Sequence, residues 1–433
     1  MKGNFQIIIV VVFIITAVLG VLVFSGAIPL DFTSDPESVG QGVVVLWGTE
    51  SSQVILPLLE EFNTINATFD VQYVQKFPET FNQELLEALA SGQGPDMFFM
   101  PDDLALSYEN KIFTIPYTSY PIASFENSFI SAGRVFATSK GIMAFPITVD
   151  PLVMYYNRSM LEANGIVYPP KYWDEFENLI PLLTKKDTSN KITKSTIAFG
   201  QYANVNHAKD ILATLFMQAG NPIVTEQNGA FVSVLNQPTT DGYNPELALQ
   251  FYTDFTDPLK NVYSWNRSFI NSRDAFSAEN LAFYFGYASE LEELVNKNPN
   301  QNFFVAPLPQ VRNSSFRLTG AKVTGVAISS TSKNFNTAFI AANLMASSDF
   351  AYQLANALNI TPARRDLLSI APQDAYSPTF YSSALYARSW LDPSPLKTDN
   401  IFQEMIEGVL ANTFSVSGAI KDAGAKMGLL LIK

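Results

Sequence analysis

Residues 91–103 read SGQGPDMFFMPDD. Gly92 and the Gly94-Pro95 pair precede a four-residue apolar run, and two carboxylates follow it. Just upstream, Phe81, Leu85, Ala88 and Leu89 recur at helical spacing, so Gly92 reads as a helix stop. Met97–Met100 is too short for a helix and is bounded by turn residues. It reads as a strand buried on both faces. Asp102 and Asp103 then stand at its carboxyl end.

Val43–Trp47 (VVVLW) is a second continuous apolar run. After it, Val54, Ile55, Leu58, Leu59 and Phe62 follow at helical spacing, with Pro57 expected in the first turn. Phe69–Val74 reads as another strand. The resulting order, β-α-β-α-β, is the opening of a doubly wound parallel sheet. Ligands of such sheets sit beyond the carboxyl ends of the strands. Trp47-Gly48-Thr49-Glu50 and Pro101-Asp102-Asp103 both lie at such ends, either as a binding rim or simply as turns and caps.

Farther on, Ile142–Pro146 and Leu152–Tyr156 are apolar segments flanking Ile147-Thr148-Val149-Asp150-Pro151. Helical patterns cover Arg158–Asn164, Trp173–Leu183, Ile211–Ala219, Pro245–Phe255, Phe335–Ala346 and most of Ile401–Met427. Leu281–Gly286 and Phe303–Leu308 are strand-like. No internal repeat or low-complexity segment is present.

A chain of 433 residues implies two domains. The formal charge of −13 argues against nucleic acid as a partner, since phosphate binding needs a basic face. Lys185, Lys186, Lys191 and Lys194 read as a solvated loop. With no Cys and one His, the chain cannot form disulfides, thiolate sites or a multi-His zinc site. His207 reads as a surface or capping residue. No EF-hand spacing is present, so neither metal nor cofactor is expected.

Ile7–Phe24 carries no charge and reaches bilayer-spanning length. It reads as one N-terminal transmembrane helix within residues 1–30, with Lys2 inside and everything after it outside the cytoplasm. Cleavage at Ser25-Gly26-Ala27, giving a secreted protein, is the alternative. Lipid anchoring lacks its Cys. Residues 31–42 read as a polar linker.

"LWGTE", "LASGQGPDMFF", "AFPITVDPLVMYYNRSML", "WDEF", "AFYFGYASEL", "VAPLPQ" and "NITPARRDLL" occur in this order along the chain. In order and interval the set resembles the bacterial extracellular solute-binding proteins of the sugar-binding class, which serve ABC importers. The resemblance spans roughly residues 43–425. It implies two α/β lobes joined by a hinge, the periplasmic-binding-protein-like architecture, with a carbohydrate held between them and no catalysis. Lobe 1 is then expected over 43–149 and 308–359, and lobe 2 over 150–307 and 360–433. Chain crossings are expected near Val149–Leu152, Val305–Leu308 and Asn359–Pro362. A monomer that delivers an oligosaccharide to permease subunits is implied.

By the same resemblance Trp47, Thr49, Glu50, Asp103 and Asp150 fall on cleft positions. Tyr287 falls where relatives place an aromatic against the ligand, and Asn204 is a looser match. Trp390 is a candidate because helical or strand periodicity does not explain it. Carboxylates and amides suit sugar hydroxyls, and rings suit C–H faces. Two departures stand out. Met100 replaces an aromatic of the maltose-binding type, and Tyr172, before "WDEF", cannot cap a helix as Ser or Thr does. Competing readings are a membrane-anchored sensor or adhesion module on the same fold, and a glycoside hydrolase using Asp103 and Asp150 as its carboxylate pair.

Overall fold

The computed structural model describes residues 40–237, 244–370 and 372–432. The first strand, β1 (Gly42–Gly48), pairs in parallel with β2 (Phe69–Gln75) and with β3 (Met97–Pro101). Helices Ser52–Ile65 and Pro78–Ser91 make the crossovers. The first is capped by Ser51 Oγ, which accepts from the Gln53 N–H, and it carries Pro57 inside it, beyond the first turn expected for that residue.

The punctuation around β3 has a local cause at each position. Gly92 ends the preceding helix in the left-handed conformation, φ 69°. A Cβ on Gly94 would press against the Leu89 side chain at 2.8 Å. Asp96 accepts from the Val45 N–H (2.9 Å) and from the Ser332 hydroxyl (2.6 Å), tying β1 and a later loop to the start of β3. Met97–Met100 are all buried, as expected of a two-sided strand.

The sheet continues through two long strands. Here β4 (Phe145–Asn157) is continuous through Pro146 and Pro151, joining the two expected apolar segments. β5 (Ile192–Ile197), β6 (Leu281–Tyr287), β7 (Phe303–Pro307) and β8 (Thr319–Ile328) are the sheet's other longer strands, and the two-residue strands Lys185–Lys186, Thr361–Pro362 and Ala387–Arg388 add to its margins. The order is β2-β1-β3-β8-β4-β6-β5. The first half of β4 lies between β8 and the short pair Thr361–Pro362, and its second half lies between β6 and β7. One strand therefore serves two lobes in succession.

Each lobe has its own core. Val44, Leu46, Phe99, Phe145 and Val326 pack on one face of the first half-sheet, and Phe98, Met100, Tyr108 and Val323 on the other. A larger core gathers Leu152–Tyr155, Phe199, Tyr252, Trp265 and Phe283. Burying aromatic and aliphatic area on this scale drives the fold.

The chain changes core between Val149 and Leu152, within the expected first crossing, but its second and third changes come later than Val305–Leu308 and Asn359–Pro362. Leu308 still belongs to the second core, and β8 makes the return. Ala363, Leu368, Tyr381, Ala384 and Ala387 belong to the first core, and Phe402 and Met405 to the second. The reason is that the loop after β7 is fixed in the second lobe by Gln310, which donates to the Leu308 and Leu318 carbonyls and accepts from the Leu318 N–H.

The expected N-terminal transmembrane helix lies outside the described residues. Among the described residues no helix is long and apolar enough to cross a membrane.

Candidate functional site

Asp102 and Asp103 open a single 3-10 turn directly after β3. Asp102 points inward and is 5% exposed; it accepts from the Val323 N–H (3.1 Å) and from the Ser389 hydroxyl. Burial, aided by the Asp103 charge, pushes its carboxyl up to about 7. Asp103 points the other way and makes no hydrogen bond or ion pair among the described residues. Burial and the nearby Asp392 raise its pKa as well.

Asp150 on β4 stands opposite Lys322 on β8 in the strand register. It accepts from the Ser289 N–H (3.0 Å), and burial pushes it up to about 6. Tyr287 ends β6 and is 4% exposed. Its ring lies edge-on to His207, centroids 4.9 Å apart, and the Lys322 ammonium sits 4.5 Å above it.

Helix Ala208–Gln218 brings further groups to the same place. His207 precedes it in the left-handed conformation, with Nε2 2.7 Å from a Glu290 oxygen. It does not cap the helix with its side chain, and it is half-buried, lining the second cavity. Burial works to raise the Glu290 carboxyl, but hydrogen bonds from His207, Tyr284 and the Tyr287 N–H outweigh it and hold it low. Lys209 binds the buried Asp392 at 2.5 Å and lies 5.6 Å from the Trp390 ring.

These groups line two adjoining cavities between the lobes. One, of about 470 Å³, is walled by Asp102, Tyr287, Arg388, Ser389 and Trp390. The other, of about 890 Å³, is walled by Tyr202, His207 and Asp399. Asp103, Lys209, Asp210 and Lys322 line both. Carboxylates, ammonium groups and two ring faces thus converge on one cleft, a surface suited to many hydroxyls and a flat C–H face.

Of the residues expected from sequence, Asp103, Tyr287 and Trp390 line these cavities, and Asp150 lies beside them, paired in register with Lys322. Trp47, Thr49 and Glu50 stand together at the end of β1 but line neither cavity. Lys76 covers the Trp47 ring at 3.9 Å, and Tyr73 OH donates to the Glu50 carbonyl at 2.7 Å. Met100 is wholly buried and offers nothing to a ligand. Asn204 is fully engaged. Its amide donates to the Asn266 and Phe269 carbonyls, 3.0 Å each, and accepts from Trp265 Nε1 at 3.1 Å. It holds a loop of the second lobe together and reaches neither cavity.

Lys322, Lys209, Asp210 and Ser389 are cleft residues that the sequence reading missed. The run His207-Ala208-Lys209-Asp210, a polar start to an apolar helix, is the one signal that could have marked part of this set.

The profile of the bacterial extracellular solute-binding protein family matches residues 48–392, and the chain belongs to that family. Among curated proteins, the maltotriose-binding protein of Pyrococcus abyssi (strain GE5 / Orsay) is 27% identical over 145 residues, which are 33% of this chain and 30% of that protein. The chain thus aligns with under a third of that relative's length. Among solved structures, a cyclo/maltodextrin-binding protein complexed with maltotetraose superposes with a TM-score of 0.72 at 15% identity, covering 92% of this chain and 98% of the other. The cyclic alpha-maltosyl-1,6-maltose binding protein from Arthrobacter globiformis gives 0.73 at 15% identity, covering 90% and 99%. At such identities the superpositions establish the shared two-lobed α/β fold.

Proposed function

We propose that this chain is an extracytoplasmic binding protein that captures a neutral carbohydrate between its lobes and presents it to an ABC importer. The observation that carries the reading is the cleft itself. Asp103, a carboxylate without a partner, lines a cleft between the lobes together with Tyr287 and Trp390, and that cleft continues past Lys209, Asp210 and Lys322 into the second cavity. Relatives with the same fold bind maltodextrins, which agrees with this chemistry. Closure turns about the paired stretches Thr148–Pro151 and Ala321–Thr324, where β4 and β8 pass between the lobes. Trp47 and Glu50 join the ligand only as the lobes move. No bond chemistry is assigned to Asp103 and Asp150: hydroxyl recognition accounts for Asp103, while Asp150 accepts from the Ser289 N–H and stands opposite Lys322. The N-terminal apolar segment holds the protein at the membrane.

A thermal-shift panel on full-length protein in detergent tests this, with maltotriose, maltotetraose, mannotriose and tagatose as probes. One or more raises the melting temperature, is recovered uncleaved, and compacts the particle in small-angle scattering. A panel without any shift removes the carbohydrate reading. A mature N-terminus near Ala27, found by mass spectrometry, removes the anchor.

A further inference from the structure

Lys322 occupies an unusual position for an ammonium group. It stands on β8 where that strand passes from one lobe to the other, and its side chain enters the cleft, exposed to solvent yet surrounded by protein. No carboxylate of the described residues pairs directly with it. Instead it lies 4.5 Å above the Tyr287 ring, a cation–π placement. Around it stand Asp102 and Asp103 from the turn after β3, Asp150 from β4, and Asp210 from the helix that starts after His207. The remaining charged groups are already committed. Lys209 belongs to Asp392, and His207 lies 2.7 Å from Glu290 and, through its other nitrogen, 3.8 Å from Asp210. Arg388 donates to its neighbour's carbonyl.

We infer that Lys322 is the specificity-determining residue of the cleft: a built-in cation that fills an aromatic and carboxylate nest, so that the site accepts neutral carbohydrates and rejects amino sugars. The chemistry is that of a cation cage. A ring face and several carboxylates would bind an external ammonium group if the protein did not supply its own. Burial works against the charge on Lys322, but Asp210, Asp103, Asp150 and Asp102 outweigh it and hold the ammonium above its usual range. The protein therefore keeps this cation charged across physiological pH. A ligand amine arriving at the same nest finds the ring face and its flanking carboxylates already occupied by the Lys322 ammonium, while hydroxyl groups meet free acceptors on Asp103. The ligand preference rests on the carbohydrate reading above. The counter-ion role does not.

The test uses full-length Lys322→Ala and Lys322→Arg proteins with two kinds of probe. Ethylammonium chloride, against matched sodium chloride, stabilises Lys322→Ala to heat and leaves the parent and Lys322→Arg unchanged. Equal responses in all three overturn the inference, whether or not any sugar binds. In calorimetry, a glucosamine trisaccharide binds Lys322→Ala at least about tenfold more tightly than the parent, the size expected for removing one like charge at short range. Parent protein that prefers the amino sugar over maltotriose also overturns it. Failure of every neutral sugar on the parent, with ethylammonium rescue intact, counts against the carbohydrate reading alone. Should Lys322→Ala not fold, adding Asp210→Asn removes one stranded carboxylate and restores folding. A double variant that folds no better than the single one overturns the counter-ion role.

Discussion

Glu226 reaches from one lobe to grip Ser139 of the other. Its carboxylate accepts from the Ser139 N–H at 2.9 Å and from the Ser139 hydroxyl. Glu226 lies on the hairpin formed by Val224–Gln227 and Ala230–Ser233, which is rooted in the second core through Ile223 and Val224. Ser139 lies in the turn between Thr138 and Gly141, beside first-core residues Phe136 and Met143. The contact is a clasp across the lobes, away from the cavities. Glu226→Ala should open the ligand-free particle and weaken ligand binding. An exposed, charge-assisted pair is worth about 0.5–1 kcal/mol, or roughly twofold to fivefold in affinity. Small-angle scattering and calorimetry together check this, and unchanged dimensions with unchanged affinity would show that the clasp does not govern closure.

The cleft carboxylates give a pH signature of defined sign. Burial pushes the Asp102 and Asp150 carboxyls up to about 7 and about 6 in the fold, against an ordinary 3.8. The folded state thus holds more protons than the unfolded one between those values, so lowering pH through this window stabilises the protein. Glu290 acts oppositely, being held low, and its contribution is lost only in stronger acid. Melting temperature should therefore rise from pH 8 to about pH 5 and fall below about pH 4. Asp102→Asn should flatten the rise. A melting temperature that drops steadily from pH 8 downward contradicts the assignment.

Sequence patterning made the first half of the sheet legible for a physical reason. β3 is buried on both faces, so its apolar run is unbroken; β1, expected to match it, instead alternates buried Val44 and Leu46 with half-buried Val45 and Trp47, and its run stays apolar all the same. The helices between them show clear spacing. β8 was not legible. It reads TGAKVTGVAI: the strand is mostly buried, but two glycines, two threonines and the cleft-facing Lys322 break the apolar run that would have marked it. A Cβ on Gly325 would meet Ala144 and Phe136 at 2.9 Å, so the glycine reflects close packing rather than a turn. The same strand carries Lys322, so missing it also hid a central cleft residue. Asp103, Asp150 and Tyr287 could be named because they sit at strand ends or beside a proline within recognisable motifs. Lys209, Asp210 and Ser389 arrive from elements whose approach depends on how the lobes fold together.

Asn204 separates a structural role from a binding one. Its amide satisfies Trp265 Nε1 and two carbonyls, and Trp265 is wholly buried. Asn204→Ala leaves these groups without partners, which should cost about 2–4 kcal/mol of stability. Denaturant unfolding of the second lobe measures the loss. The affinity of whatever folded protein remains should be close to the parent's, since the residue reaches neither cavity. A large affinity loss at full stability would return Asn204 to the binding site.

Asp103 should behave in the opposite way. It lines both cavities, carries a carboxylate that no protein group satisfies, and is raised in pKa by burial and by Asp392. In the free protein this charge is a cost, so Asp103→Asn should leave the melting temperature unchanged or higher near neutral pH. With ligand, the carboxylate accepts hydroxyl hydrogens, and charge-assisted hydrogen bonds of this kind are worth about 1.5–3 kcal/mol. The asparagine keeps one acceptor oxygen but presents donors in place of the other, so affinity should fall by about tenfold to a hundredfold. Trp390→Ala should also weaken binding by removing a ring face, while disturbing its packing against Phe402, 6.2 Å away between centroids. Its effect on stability should therefore exceed that of Asp103→Asn. The deciding comparison is calorimetry beside thermal melting for both variants. If Asp103→Asn lowers stability and spares affinity, the unpartnered carboxylate is not the ligand's acceptor, and the centre of the site lies elsewhere in the cleft.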